Sequence, residues 1–313
     1  MNQINQILKT KKVMVLDGAL ATELEQRNCN INDSLWSAKI LAQNPEIIKN
    51  VHYDYFMAGA DCAITSSYQA TIEGFVKKGY TESEAKGLIK KSVFIAKKAR
   101  DEFWLDENNR KNRVYPIIAA SVGPYGAYLS DGSEYVGNYS IGKDELKEFH
   151  RDRIKLLIDA GADILACETI PSLTEALALA EVISEFEGVN AWISFSCRNQ
   201  YEISDGTLIG ECTKSLNNFK NIISIGINCT APQFVESLIK EVKIYTDKPI
   251  VVYPNSGEEY DANSKNWYGY FANESYGELS KTWHKAGASI IGGCCRTTPH
   301  DISQISNWVK EIN

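Results

Sequence analysis

Short apolar runs alternate along the chain with longer stretches in which apolar residues recur at helical spacing. Apolar runs bounded by polar or glycine-containing turns are typical of buried strands, and amphipathic stretches are typical of surface helices. The predicted strands are residues 13–16, 61–67, 114–122, 163–167, 191–197, 222–227, 249–253 and 288–293. The predicted helices include residues 45–58, 82–103, 143–160, 232–245, 276–286 and 299–312, and Ser172 with Glu175 predicts a capping box at the start of another.

This regular alternation predicts an α/β fold in which parallel strands are joined by helices. Eight such units without a linker favour a single (β/α)8 barrel of the TIM type, spanning residues 1–313 as one domain. The alternative is an open, doubly wound sheet, but no Gly-x-Gly-x-x-Gly motif follows the first strand. Two irregular segments, residues 125–141 and 260–271, are too long for ordinary connections, and we expect them to form a lid or a substrate wall.

Composition narrows the class of protein. The formal net charge is −7 and no basic block occurs, so a nucleic-acid surface is not expected. No apolar run approaches the roughly 20 residues of a membrane span, and residues 1–12 lack the apolar region of a signal peptide. Eight cysteines in such a chain indicate a reducing compartment. We therefore expect a cytoplasmic protein with no membrane partner, of an oligomeric state that the sequence leaves undetermined.

Three of the cysteines come directly after predicted strands. Cys229 follows residues 222–227, and the adjacent pair Cys294 and Cys295 follows residues 288–293. In an α/β barrel the carboxyl ends of the strands form the face that carries the active site. Gly292 and Gly293 are expected to give the backbone the freedom that lets two adjacent side chains face one point. Three thiolates without a fourth protein ligand predict a Zn²⁺ site with one open position, which we expect to receive a substrate thiol.

Other polar residues also follow predicted strands: Asp17, Thr65, Glu168 and Asn255. An unpaired carboxylate in a partly dry cavity is costly, so Asp17 and Glu168 predict a cationic ligand group such as the ammonium of an amino acid. Thr65 and Asn255 fit a turn or a helix cap equally well.

Several reaction classes are disfavoured by what the strand ends lack. None of the four histidines follows a predicted strand, which argues against a zinc hydrolase with imidazole ligands, and no lysine does so, which argues against a Schiff-base enzyme. There is no Gly-x-Ser-x-Gly elbow and no P-loop. Zinc with three thiolates carries one net negative charge and is a weak Lewis acid, but it can hold a further sulfur as a thiolate. The reaction that suits such a nucleophile is attack on a methyl group of a sulfonium or a quaternary nitrogen.

The chain resembles the homocysteine S-methyltransferase family almost from end to end. The resemblance is carried by Leu16-Asp17-Gly18-Ala19, Leu35-Trp36-Ser37-Ala38, Thr65-Ser66-Ser67-Tyr68-Gln69-Ala70, Cys167-Glu168-Thr169, Gly226-Ile227-Asn228-Cys229, Tyr253-Pro254-Asn255-Ser256-Gly257 and Ile291-Gly292-Gly293-Cys294-Cys295-Arg296-Thr297. It implies that Cys229, Cys294 and Cys295 bind zinc, with the homocysteine sulfur as fourth ligand. It also implies a substrate site made of Asp17, Gly18, Thr65, Glu168 and Asn255, in which Asp17 and Glu168 hold the homocysteine amino group. No protein residue is then catalytic beyond the zinc-activated substrate thiolate.

Within that family the chain looks closest to members that use S-methylmethionine or S-adenosylmethionine. The resemblance therefore implies methyl transfer from a small sulfonium donor to L-homocysteine, giving methionine. Because the donor is cationic, aromatic side chains of the two irregular segments are expected near it: Tyr125, Tyr128, Tyr135, Tyr139, Trp267 and Tyr268. The rivals are methylation of selenocysteine or another thiol on the same scaffold, and a non-catalytic zinc or redox sensor.

Overall fold

Eight parallel strands form the central barrel in a computed structural model that describes residues 2–31, 35, 37–257, 259–261, 266–268 and 275–313. The barrel strands are β1 Met14–Val15, β2 Cys62–Ile64, β3 Ile117–Val122, β4 Ile164–Ile170, β5 Ala191–Phe195, β6 Ile222–Asn228, β7 Ile250–Tyr253 and β10 Ala288–Ile291. Each strand pairs with its neighbour in the order β1-β10-β7-β6-β5-β4-β3-β2. A parallel bridge between Leu16 and Cys62 joins β1 to β2 and closes the ring. The predicted (β/α)8 barrel is confirmed.

Helices surround this ring. They are α1 Gln3–Thr10, α2 Leu20–Gln26, α3 Ser37–Gln43, α4 Pro45–Ala58, α5 Ile72–Lys77, α6 Glu82–Leu105, α7 Glu107–Arg110, α8 Tyr125–Leu129, α9 Lys143–Asp159, α10 Leu173–Ser184, α11 Ile209–Leu216, α12 Pro232–Tyr245, α13 Tyr276–Ala286 and α14 Pro299–Ile312. The predicted bounds of α4, α12, α13 and α14 are confirmed. Seven short helices were not predicted, because none is longer than 8 residues and none repeats a helical pattern: α1, α2, α3, α5, α7, α8 and α11. Among the described residues, no helix has the length and apolar character needed to cross a membrane.

The two predicted irregular segments contain secondary structure. Residues 125–141 include helix α8 and a 3-10 turn at Ser133–Tyr135. Within residues 260–271, the structure describes part of an antiparallel pair, β8 Glu259–Asp261 with β9 Asn266–Tyr268. Residues 262–265 and 269–271 of that segment lie outside the described residues, as does Trp36 of the family motif.

The capping box predicted at Ser172 has only one of its two hydrogen bonds. The Ser172 hydroxyl accepts a hydrogen bond from the Glu175 backbone N–H at 3.3 Å, as expected for an N-cap. The Glu175 carboxylate is fully buried and points elsewhere: it accepts from the Tyr125 N–H at 2.6 Å and lies 2.8 Å from His150 Nε2. Two tertiary partners replace the local one, so Glu175 links the start of α8 to α9.

The interior of the barrel is filled by one apolar cluster and the space between strands and helices by another. The interior cluster includes Met14, Leu16, Cys62, Ile117, Ala119, Ile164, Ala166, Trp192, Val251, Tyr253 and Ile290. Helix α1 adds Ile4 and Ile7 to it. The filled interior leaves chemistry to the strand ends, as is general for this fold.

Gly226 allows the closest approach between β6 and β7. It lies opposite Val251, and a Cβ built on Gly226 would be 1.7 Å from the Val251 carbonyl oxygen. Two neighbouring backbones must separate to admit any side chain there. We expect Gly226→Ala to lower the free energy of unfolding by about 3 kcal/mol, measured by chemical denaturation. Gly87→Ala is the matched control: nothing lies within 4 Å of its added Cβ, and in the interior of α6 it should stabilise by about 1 kcal/mol. Equal stability of the two variants would contradict this account.

Candidate metal centre and substrate site

The structure brings the three predicted cysteines together at the carboxyl end of the barrel. The Sγ atoms of Cys229, Cys294 and Cys295 all lie within 4.8 Å of one another. Cys229 Sγ is 3.6 Å from Cys295 Sγ, and Cys294 Sγ is 4.0 Å from Cys295 Sγ. In the part of the chain that the structure describes, this is the one group of three or more His, Cys, Asp or Glu side chains arranged to hold a metal ion.

Backbone hydrogen bonds to the end of β7 hold the cysteines in place. The Cys229 N–H donates to the Tyr253 carbonyl at 3.2 Å, and the Cys294 N–H donates to the Pro254 carbonyl at 2.8 Å. The Cys295 carbonyl accepts from the Ser256 N–H at 3.0 Å. The chain after β7 therefore lies between the two ligand segments and fixes the distance between them.

The structure requires glycine at positions 292 and 293 for close packing, whereas the sequence predicted that their backbone freedom would be needed. Neither Gly292 nor Gly293 adopts a left-handed φ. A Cβ on Gly292 would lie 2.5 Å from Leu16 Cβ, and one on Gly293 would lie 2.2 Å from Thr297 Oγ1. The left-handed conformation occurs instead at Cys229, with φ of +49°, and at Arg296, with φ of +68°. Glycine is required for close packing, and the turns are made by residues beside it.

The donor set fits a tetrahedral metal ion. Zn–S bonds of about 2.3 Å in a tetrahedron place sulfur atoms about 3.8 Å apart, which matches the 3.6 and 4.0 Å separations. Thiol hydrogen bonds from Cys294 and Cys295 hold the pKa of Cys229 well below its ordinary value, while Cys229 raises the pKa of both partners. The cluster alone thus favours the thiolate form at Cys229 over its two partners.

The other cysteines are separate from this cluster. Burial raises the pKa of Cys167 to about 12 and raises that of Cys62 well above its ordinary value. Cys212 is also buried, while Cys29 and Cys197 are half-buried.

Asp17 and Glu168 are both buried beside the cluster. Asp17 Oδ2 accepts from the Ile64 N–H at 2.9 Å, and its backbone carbonyl accepts from the Gly293 N–H at 3.0 Å. Burial, followed by the charge of Glu168, raises the pKa of Asp17 well above its ordinary value. Burial also raises the pKa of Glu168 to about 7, and the charge of Cys229 adds to the shift. A cation bound between them would favour the ionised form of both carboxyl groups.

Thr65 lies in a chain of hydroxyl groups that ends at Glu168. The Ser67 hydroxyl donates to the Ser121 carbonyl at 2.7 Å, so the Thr65 hydroxyl donates to Ser67 Oγ, also at 2.7 Å. Thr65 Oγ1 accepts from the Ser121 N–H at 3.0 Å, and the Ser121 hydroxyl donates to Glu168 Oε1. Thr65 therefore helps to orient Glu168 through Ser121, a residue that the sequence reasoning did not select.

Asn228 is a second missed residue. Its fully buried side chain accepts from the Thr169 N–H at 2.7 Å and from Ser194 Oγ at 2.8 Å, and it donates to Thr169 Oγ1 at 2.8 Å. These bonds hold Thr169 in the left-handed conformation, with φ of +59°, directly after Glu168. The Asn-Cys motif could have drawn attention to Asn228 in the sequence. Nothing in the sequence shows that its partner is Thr169 on β4.

The two remaining predicted site residues have different surroundings. A Cβ on Gly18 would lie 2.8 Å from Thr297 Oγ1 and 3.0 Å from the Tyr55 ring, so a glycine is needed for packing. The Asn255 N–H donates to the Thr230 carbonyl at 3.1 Å, and its side-chain Oδ1 is buried without a hydrogen-bond partner. Asn255 thus retains an acceptor that a ligand could use.

The 3-10 turn of residues 133–135 reaches the cysteine cluster. Tyr135 Oη lies 3.6 Å from Cys229 Sγ. The neighbouring Glu134 is buried, and burial together with the charge of Cys229 raises its pKa to about 7. Tyr125, Tyr128 and Phe149 form a separate aromatic group, with Tyr139 against Tyr125. The side chains of residues 267 and 268 are outside the described part of the chain. The sequence predicts that this segment, called the lid below, forms a lid or a substrate wall, but it gives Glu134 no role.

Known proteins match the chain over nearly its full length. The sequence model "Homocysteine S-methyltransferase" matches residues 14–309. The curated "Homocysteine S-methyltransferase YbgG" of Bacillus subtilis is 59% identical over 312 residues, covering 100% of this chain and 99% of that protein. The Escherichia coli "Homocysteine S-methyltransferase" is 48% identical over 307 residues, covering 97% of each. The metallated form of the E. coli homocysteine methyltransferase MmuM superposes with a TM-score of 0.88 at 44% identity, covering 98% of this chain and 100% of that one.

The cluster geometry predicts that each of the three cysteines is needed for metal binding. We expect protein purified under reducing conditions to carry about one divalent metal ion per chain, measured by elemental mass spectrometry. Cys229→Ser, Cys294→Ser and Cys295→Ser should each remove most of it. Cys29→Ser, at a half-buried cysteine outside the cluster, should leave it unchanged. Full metal content in any one of the three cluster variants would show that this residue is not a ligand.

Proposed function

Since the chain belongs to the homocysteine S-methyltransferase family, we propose that it transfers a methyl group from a sulfonium donor to L-homocysteine, giving methionine. The donor is S-methylmethionine or S-adenosylmethionine. The observation that carries the proposal is the set of three cysteine sulfurs beside the buried carboxyl groups of Asp17 and Glu168. A thiol-bearing amino acid matches both parts of that set.

We assign zinc to Cys229, Cys294 and Cys295, because three thiolates in tetrahedral spacing are a usual zinc donor set. When bound there, zinc supplies the charge that keeps the homocysteine sulfur a thiolate at neutral pH. The E. coli relative MmuM has a crystal structure in a metallated form, which is consistent with this assignment.

Asp17 and Glu168 bind the homocysteine ammonium in this proposal. Both are buried, and among the described residues neither forms an ion pair with a basic side chain. The ammonium would offset the cost of burying them ionised. Thr65 and Ser121 hold Glu168 in one orientation, and Asn255 Oδ1 and the backbone at Gly18 complete the substrate site.

The reaction is an in-line displacement at the methyl carbon. The homocysteine thiol first releases its proton to solvent. A lone pair of its sulfur then forms the new carbon–sulfur bond while the bond from the methyl carbon to the sulfonium sulfur breaks. The departing sulfur keeps that electron pair and becomes a neutral thioether. The protein contributes position and exclusion of water, and no side chain needs to move a proton during transfer.

Two rivals remain open to experiment and are less well supported. Methylation of selenocysteine or another thiol would use the same cluster, but the relatives are named for homocysteine. A zinc or redox sensor would not need the two buried carboxyl groups. A single domain over residues 1–313, a cytoplasmic location and small-molecule partners stay predictions, and the oligomeric state is left open.

The test is a comparison of initial rates of methionine formation from homocysteine with S-methylmethionine, S-adenosylmethionine and betaine. We expect the sulfonium donors to be used and betaine to be at least tenfold poorer. Calorimetric titration should show homocysteine binding to the metal-loaded protein. A protein that binds metal but neither homocysteine nor a donor would support the sensor instead.

The assigned role of Glu168 gives a further prediction. Glu168→Gln should weaken homocysteine binding by roughly ten- to a hundredfold, because a charge-assisted hydrogen bond of about 1.5–3 kcal/mol is lost. Metal content should not change. The matched control is Glu187→Gln, at an exposed position, which should bind homocysteine like the wild type. Loss of metal from Glu168→Gln would place this residue in support of the cysteines rather than the substrate.

A further inference from the structure

Glu134 is a buried acid that the preceding assignments do not use. Its residue is 8% exposed, and its Oε2 atom is buried without a hydrogen-bond partner. Burying a carboxylate oxygen without a hydrogen-bond donor is unfavourable. A ligand that donates a hydrogen bond to Glu134 Oε2 would remove this cost.

The backbone of the turn that carries Glu134 packs closely against neighbouring segments. The Ser196 hydroxyl donates to the Glu134 carbonyl at 3.4 Å. A Cβ on Gly126 would lie 2.4 Å from the Glu134 nitrogen, which shows how closely α8 packs against the turn. The next residue, Tyr135, places its hydroxyl 3.6 Å from Cys229 Sγ. Glu134 thus lies on the turn that contacts the cysteine cluster through Tyr135.

The surroundings of Glu134 differ from those of the other two acids. The charges that act on Glu134 are those of Cys229 and Asp131, whereas Asp17 is acted on by Glu168. The cysteine cluster therefore has one acidic pair at the strand ends and a single acid on the lid. Tyr135, the residue after Glu134, brings an aromatic ring to the cysteine cluster.

Two cationic amino acids must meet at this cluster if the proposed function is correct. The strand-end pair accounts for the homocysteine ammonium, which leaves the methyl donor without a counter-charge. A sulfonium sulfur carries no hydrogen and cannot satisfy Oε2, but the α-ammonium of an amino-acid donor can. Aromatic faces suit the sulfonium itself.

We propose that Glu134 binds the α-ammonium of the methyl donor, and that it thereby selects sulfonium amino acids over donors without an N–H group. This inference rests on the proposed function and deepens it. It makes the lid the donor site and the strand ends the acceptor site. Betaine, whose quaternary nitrogen has no hydrogen, would leave Oε2 unsatisfied.

The experiment compares Glu134→Gln with Glu187→Gln in the metal-loaded protein. Glu187 is an exposed acid between α10 and β5, so the control makes the same chemical change outside the turn that carries Glu134. Steady-state kinetics are measured with S-methylmethionine and with dimethylpropylsulfonium, a sulfonium that lacks the ammonium. We expect Glu134→Gln to raise KM for S-methylmethionine by about tenfold or more, the loss of one charge-assisted hydrogen bond.

The expected pattern has three further parts. KM for homocysteine and the metal content of Glu134→Gln stay within about twofold of wild type, KM for dimethylpropylsulfonium is unchanged, and Glu187→Gln behaves as wild type. Glu134→Asp keeps the charge but shortens the side chain by one methylene, so its KM for S-methylmethionine should lie between those of the wild type and Glu134→Gln. It also provides a second variant if Glu134→Gln fails to fold.

Each other outcome overturns the inference. An equal rise in KM for both sulfonium compounds would place Glu134 at the sulfonium, and a rise in KM for homocysteine would place it at the acceptor. An unchanged KM for S-methylmethionine in an active Glu134→Gln enzyme would remove Glu134 from donor binding while leaving the proposed function intact. A wild-type protein that transfers no methyl group to homocysteine would overturn both.

Discussion

The side chain of Asn228 is the interaction on which the geometry of the site depends. It lies on β6 directly before the metal-binding candidate Cys229, and its three hydrogen bonds reach Thr169 on β4 and Ser194 on β5. Thr169 and Cys229 are both non-glycine residues in the left-handed conformation, which costs of order 1–3 kcal/mol at each position. By using all of its polar atoms within the barrel, Asn228 offsets part of that cost. The direction of the acid Glu168 and that of the sulfur of Cys229 are therefore set together.

Charge explains why these groups are assembled where the barrel opens. Three thiols lie close to one another at this end of the barrel, and burial raises the pKa of the carboxyl groups of Asp17, Glu134 and Glu168. Such a group of potential anions is stable when it is neutral or when cations enter it. A divalent metal and two substrates with positive groups would supply those cations. In this arrangement the bound cations would stabilise the ionised carboxylates and thiolates, and this adds to the binding energy from direct contacts.

The sequence was sufficient for the parts of the site that follow from strand ends. Parallel strands in a barrel must end on one face, so residues directly after apolar runs, such as Asp17, Glu168 and Cys229, could be placed near one another without a structure. The partners of those residues could not. Ser121 and Asn228 read as ordinary strand residues, because their importance depends on which strands are neighbours. Glu134 lies on a turn whose path depends on packing against Gly126, and helix α11 is too short to give a periodic signal.

The hydroxyl chain from Thr65 through Ser67 to Ser121 has every hydrogen committed to one direction. The acceptor end of the site is thus preorganised, with its entropy of ordering already spent during folding. It is also hard to modify, because re-aiming Glu168 would disturb side chains on three successive segments of the barrel at once. The lid carries its acid on a short turn that no comparable network constrains among the described residues. If the assignments proposed above are correct, evolution on this scaffold can change the donor by small steps in the lid, whereas a change of acceptor requires several coordinated substitutions.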